Sequence, residues 1–176
     1  MDQGRLAYGI MVKRHIMAGL VLALVTTCPA LSWADFVAKV VTVHDGDRLT
    51  IRHDGRSETI YLQDIDCPEL KQPYGKQAKH VTAAFIWNRD VVVRGLKRDK
   101  QGRVSAEVLL QDGRNVGHEL LKEGLAWWRR SASSDAGLEM VEELASASRK
   151  GLWADSNPVP PWKWKDTKKT SLKYSN

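Results

Sequence analysis

Cysteine is almost missing from this chain: Cys28 and Cys67 are the only two in 176 residues. Cys28 falls in a stretch that reads as a removable leader, which leaves Cys67 alone. A single cysteine excludes an internal disulfide and a cysteine-rich zinc site. Nothing near Cys67 resembles a Cys–His pair, so a thiol nucleophile is set aside as well. Histidine is sparse, and His44, His53, His80 and His118 show no metal-ligand spacing. Long apolar runs are lacking too. Ile16–Val25 is apolar and uncharged, but it is shorter than the ~20 residues a spanning helix needs. No internal repeat is present.

That short apolar run has the flanks of a signal peptide. Lys13, Arg14 and His15 precede it, and Ser32-Trp33-Ala34 offers small residues where a signal peptidase reads them. The expectation is a cleaved leader over residues 1–34, with translation starting at Met1 or at Met11, and export to the periplasm or the medium. A retained anchor is the alternative. Val25-Thr-Thr-Cys28 offers a lipoprotein reading, against which Thr27 is a poor residue before the cysteine. Removing the leader takes the formal net charge from +6 to about +4. That favours polyanionic partners; the alternative is a soluble basic protein with a solvated lysine-rich tail. The remaining residues suffice for one compact domain over residues 35–165, followed by a flexible basic tail over residues 166–176.

Val37, Val40, Val41 and Val43, then Leu49-Thr-Ile51 and Ile60-Tyr-Leu62, predict three strands, with Asp54-Gly55 as a tight hairpin turn. Ala78, Val81, Thr82 and Phe85 fall on one face of a helix over residues 76–88. Val91–Val93 is a fourth strand. In a fifth, Val104, Ala106, Val108 and Leu110 alternate with Ser105, Glu107 and Leu109. Asp112-Gly113 is a turn. A short helix over residues 116–123 stops at Gly124. A last helix over residues 135–150 places Leu138, Val141, Ala145 and Ser148 toward the core. This order fits an α+β fold, mainly β: a five-stranded OB-like barrel with three helices.

Chemistry concentrates in three segments: His44-Asp-Gly-Asp47, Ile65-Asp-Cys-Pro-Glu69 and Asp99-Lys-Gln-Gly-Arg103. Carboxylates hold a hard divalent cation, and a guanidinium neutralises charge on phosphate oxygens. Together they suit metal-assisted attack on a phosphodiester. Each residue also has a plainer reading. Asp45 and Asp47 alternatively build only a turn, Asp66 and Glu69 are solvated loop charges, and Arg103 caps a hairpin or pairs with Asp99.

From Phe36 to Trp164 the chain resembles the staphylococcal (micrococcal) nuclease family. The three segments stand in family order, followed by Gly124-Leu-Ala-Trp127, Gly151-Leu-Trp-Ala-Asp155 and Asn157-Pro-Val-Pro-Pro-Trp162. The resemblance implies a calcium-dependent nuclease acting on DNA, RNA or both, with no stable protein partner and a monomeric state. It implies that Asp47, Asp66 and the backbone carbonyl of Cys67 bind calcium. It gives Glu69 the attacking water and Arg103 the scissile phosphate. Two departures stand out. Tyr61 occupies the place of a second family arginine; Arg48, where the family favours threonine or serine, and Arg56 are nearby replacement charges. Arg129, Arg130 and Ser131 stand where tyrosines often line the nucleotide pocket, so Arg129 and Arg130 are expected on substrate. Trp127 and Trp128 are base-stacking platforms or core residues. The rival expectation is a catalytically weakened nucleic-acid-binding module.

Overall fold

Alternation along the first strands sets the architecture. In the computed structural model, residues 35–165 are described. The expected leader (residues 1–34, with Cys28) and the basic tail (residues 166–176) lie outside the described residues. Strand β1 (Phe36–Val43) turns Ala38, Val40 and Val43 inward. The step from 40 to 43 breaks a strict period of two. A register shift between Val40 and Thr42, where β1 pairs with β2 (Arg48–His53), absorbs the extra residue. The turn Asp54-Gly55, with φ of 47° and 74°, then leads into β3 (Arg56–Leu62). Positive φ at both central residues suits the twist of a two-residue hairpin.

A two-residue strand, β4 (Ile65–Asp66), follows. Helix α1 (Gly75–Ile86) leads to β5 (Asp90–Arg98) and β6 (Val104–Leu109). The five long strands close a barrel in the order β1-β2-β3-β6-β5. All pairings are antiparallel except β3 with β6. Then come α2 (Val116–Lys122), β7 (Trp127–Trp128), α3 (Ala136–Ala147) and a 3-10 turn (Gly151–Ala154). The expected α+β, mainly β barrel with three main helices is therefore the observed fold. Among the described residues no helix is long and apolar enough to cross a membrane.

The barrel fills with Leu49, Ile51, Ile60, Val91, Val93 and Val108, and α2 adds Leu120 and Leu121. Three details differ from the expected pattern. Leu109 is buried, because β6 ends there and its backbone bridges to Asn115. Ser148 is exposed at the C-cap of α3, while the charged Glu142 is buried on that helix. The strand pair β4–β7 has no counterpart in the sequence pattern, since two residues cannot display a period. Helix α1 has neither a side-chain cap nor an acidic residue in its first turn. Its stability must come from packing of Ala78, Thr82 and Ile86 rather than from its ends.

Candidate active site

The Asp45-Gly-Asp47 turn divides labour between its aspartates. Asp45 builds the turn: Oδ1 accepts from the Arg48 backbone N–H at 2.9 Å and Oδ2 from Arg48 Nε at 3.0 Å. Asp47 is left to face inward. Its backbone carbonyl accepts from Leu62 N–H at 2.8 Å, which ties the turn to the end of β3. Only glycine fits between the two. A Cβ on Gly46 would stand 2.6 Å from the Cys67 Cβ and 2.8 Å from that of Ala78. The Thr82 hydroxyl lies 2.7 Å from the Gly46 carbonyl and 2.9 Å from that of Ala78, sharing its proton between them. Helix α1 thus fixes the turn from behind.

The Ile65–Glu69 segment is held from two sides. Asp66 pairs with Trp127 and Ile65 with Trp128 in the β4–β7 ladder. Gln72, buried in the following loop, accepts from the Glu69 backbone N–H at 3.1 Å and donates to the Val159 carbonyl. The C-terminal segment is thereby clipped to the loop that carries Glu69. Lys165 then reaches Glu69 directly, with Nζ 2.7 Å from Oε1. Sequence alone puts Lys165 at the end of the domain with no part in the site. Nothing in local spacing signals a partner almost a hundred residues away.

On the neighbouring barrel face, Tyr61 is opposite Arg48 across β2–β3 and opposite Ser105 across β3–β6. The Arg103 guanidinium carbon lies 5.5 Å from the Tyr61 ring centroid. Arg103 also makes the pairing with Asp99 considered from sequence: Nε to Oδ2 at 3.0 Å and backbone N–H to Oδ1 at 2.8 Å.

The electrostatics are those of crowded, desolvated acids. Burial pushes the Asp47 carboxyl well above the usual carboxylate range, and Asp66 and Asp45 push it further. The Cys67 backbone N–H pulls it partly back. Asp66 is raised mainly by burial, which outweighs the lowering by Lys165 and Arg129; Glu69 adds to the rise and Arg103 opposes it. Asp47, Glu69, Arg103, Arg129 and Lys165 therefore all lie within electrostatic reach of Asp66. The Cys67 thiol is buried, and burial with Asp47 and Asp66 drives its pKa well up, so it is an inert core thiol. Burial alone would lower Lys165, yet Glu69 and Asp66 hold it above its ordinary value.

Arg129 donates its backbone N–H to the Asp64 carbonyl at 2.8 Å. Arg130 turns away from the acids: its Nη1 is 2.8 Å from Glu142 Oε2, and its guanidinium stacks 4.6 Å from the Trp128 ring. Trp128 is buried, and Trp127 packs edge-on against Trp153 and Trp162 with centroids 4.4 and 6.0 Å apart. Both tryptophans serve packing. Arg56 begins β3 at its exposed end, opposite His53.

Among the described residues no three or more His, Cys, Asp or Glu side chains form a ready metal cage. The donor set is smaller and harder: two desolvated carboxylates that resist ionising side by side. That chemistry fits an open oxygen-ligand site for a divalent cation whose shell is completed by carbonyl, water or substrate oxygens.

Comparison with known proteins agrees with this geometry. Residues 59–155 match the family model described as staphylococcal nuclease homologue. An uncharacterized endonuclease of Escherichia coli is 34% identical over 135 residues, 77% of this chain and 88% of that protein. An uncharacterized endonuclease of Haemophilus influenzae is 31% identical over 165 residues, 93% of this chain and 92% of its own length. A micrococcal nuclease of Shigella flexneri is 32% identical over 168 residues, 90% of this chain and 94% of its own. With the barrel, the paired aspartates and these matches in hand, the chain belongs to the staphylococcal nuclease homologue family.

Proposed function

We propose that this protein is an exported, calcium-dependent nuclease that hydrolyses phosphodiester bonds in DNA, RNA or both. One observation carries the reading: Asp47 and Asp66 are desolvated together beside Glu69 and Arg103. Two half-buried, desolvated carboxylates without a full countercharge are a costly arrangement that a divalent cation relieves. When bound, such a cation polarises the phosphate and offsets charge on its oxygens. Asp47 and Asp66 would hold it, with the Cys67 carbonyl as a further oxygen.

The chain's own residues supply the rest. Glu69 accepts a proton from water as the water oxygen bonds to phosphorus. The bond from phosphorus to the leaving oxygen breaks, and that oxygen takes a proton from solvent. Arg103 donates hydrogen bonds to the non-bridging oxygens as their charge grows. Lys165 Nζ stands 2.7 Å from Glu69 Oε1, so Lys165 must move aside before that oxygen can meet the attacking water. The working unit is residues 35–165, acting as a monomer after loss of residues 1–34, in the periplasm or the medium.

The test is to incubate residues 35–176 with single-stranded DNA, double-stranded DNA and RNA, with calcium and with chelator. Cleavage should occur with calcium and stop with chelator, and Glu69→Gln should lose most of it. Full activity in Glu69→Gln would sink the role given to Glu69. A second reading is a nucleic-acid-binding module with weakened catalysis. Tyr61 and the Lys165–Glu69 ion pair favour it. It expects an inert wild type in which Tyr61→Arg alone restores cleavage.

A further inference from the structure

Arg48 and Arg103 are built by the same device. In each, a turn aspartate accepts from the arginine's backbone N–H through Oδ1 and from Nε through Oδ2. The distances are 2.9 and 3.0 Å for Asp45 with Arg48, and 2.8 and 3.0 Å for Asp99 with Arg103. An aspartate gripping Nε and the backbone fixes the side chain's direction and leaves the terminal nitrogens for another ligand. The device alone does not make a site, since Asp112 holds Arg114 in the same way. What distinguishes Arg48 and Arg103 is the residue between them.

Tyr61 is that residue. It is Arg48's direct partner across β2–β3, and Arg103 stands over its ring. Directly opposed residues on neighbouring strands have Cβ atoms about 4.5–5.5 Å apart and share one face. Burial would lower the Arg48 pKa, yet Asp45 and then Tyr61 hold it above its ordinary value, so the phenol lies against the guanidinium. Two fixed guanidinium groups thus flank one phenol ring. Arg48 also lines the same cleft of roughly 280 Å³ as Glu69, together with Asp45 and Lys165. Its side chain is 39% exposed, open to a ligand.

We propose that Arg48 is the second phosphate-clamping cation of this site, delivered from β2, and that Tyr61 is a positioning residue that aims it. Arg48 and Arg103 grip a phosphodiester from two sides, with the Tyr61 ring holding the like charges apart. A planar, two-pronged guanidinium suits this task and an ammonium does not. This rests on the phosphodiester reading above.

Two measurements test it. In chelator, binding of a short single-stranded DNA is followed by fluorescence anisotropy across a salt series. Removing a cation that neutralises one phosphate flattens the log–log salt slope by about 0.7, so Arg48→Gln should bind more weakly with a slope smaller by that amount. In calcium, Arg48→Gln and Arg48→Lys should both lose about 100- to 1000-fold in kcat with a smaller change in KM. Tyr61→Phe, which removes one hydrogen bond to Arg48, should lose about tenfold or less. The exchange pair Arg48→Thr with Tyr61→Arg should recover most of what Arg48→Thr alone loses, because the cation returns to the same cross-strand pair. Thermal melts of each variant show whether the fold is intact, and Arg48→Lys keeps the charge at this position. An unchanged salt slope, or kcat for Arg48→Gln within threefold of wild type, would overturn the proposal. If wild type cleaves nothing with any divalent ion, the functional reading fails, and the salt slope in chelator still decides whether Arg48 holds phosphate.

Discussion

The Glu142 carboxylate is among the few charges carried into the core, at 4% exposure. It stays there because both its oxygens are occupied: Oε1 accepts from the Trp128 backbone N–H and Oε2 pairs with Arg130, each at 2.8 Å. Trp128 is the partner of Ile65 in the short ladder next to Asp66. Glu142 therefore braces the strand that pairs with the one carrying Asp66, a candidate site residue. Glu142→Ala strands a buried N–H, which costs about 1–3 kcal/mol. Urea unfolding in chelator should show that loss. Arg130→Ala should likewise appear as lost stability, with little change in nucleic-acid affinity, because its guanidinium is engaged by Glu142 and Trp128 rather than presented to substrate. Equal stability of Glu142→Ala and wild type would refute the bracing role. Sequence periodicity points at Val141 and Ser148 on this helix and passes over Glu142. A charged residue on an apolar face becomes readable only when its partner is known, and Arg130 stands on a different element.

At the scale of elements, the joint between α2 and the 3-10 turn is made by two glycines. Gly124 has φ of +63°, and a Cβ there would stand 2.2 Å from the Lys150 carbonyl oxygen. Gly151 faces it, and its Cβ would stand 2.2 Å from the Gly124 carbonyl oxygen. Leu152 N–H then donates to that same Gly124 carbonyl at 2.8 Å. Gly124→Ala adds both a strained φ and a backbone clash, so it should lower stability by about 2 kcal/mol or more in a denaturant melt. A loss under about 0.5 kcal/mol, the range of an ordinary surface change, would mean the joint can open without harm. Gly124 is readable from sequence as a helix stop, as is Asp54-Gly55 as a hairpin turn, because turn chemistry is local. The long strands are readable for the same reason, through their alternation. The slip in β1 is not: a register shift depends on the partner strand. Nor is β4–β7, whose two-residue strands pair across some sixty residues of sequence and where Glu142 of α3 holds the Trp128 N–H.

Across the whole molecule, the acids near Asp47 work against the fold until a cation joins them. The candidate site is legible in sequence as motifs, since Asp47, Asp66, Glu69 and Arg103 lie in short recognisable segments. Their electrostatic state is not legible there, because it depends on burial and on Lys165 arriving from the far end of the domain. Asp47 and Asp66 have raised folded-state pKa values. A carboxyl so raised stabilises the fold fully below its unfolded pKa, and that contribution is lost as pH rises through the folded value. Ionising the pair as pH rises therefore weakens the metal-free fold. A cation that binds only the folded state adds about 2.7 kcal/mol at a hundredfold excess over its Kd. The melting temperature should accordingly rise on adding calcium at neutral pH. The rise should shrink as pH falls through the raised carboxyl values, where protons displace the ion. Asp47→Asn removes one of the two charges, so it should melt higher than wild type in chelator and lose most of the calcium response. Matching calorimetry scans at neutral and acidic pH, with calcium and with chelator, would decide it. An identical calcium shift at both pH values, or in Asp47→Asn, would show that the ion sits elsewhere.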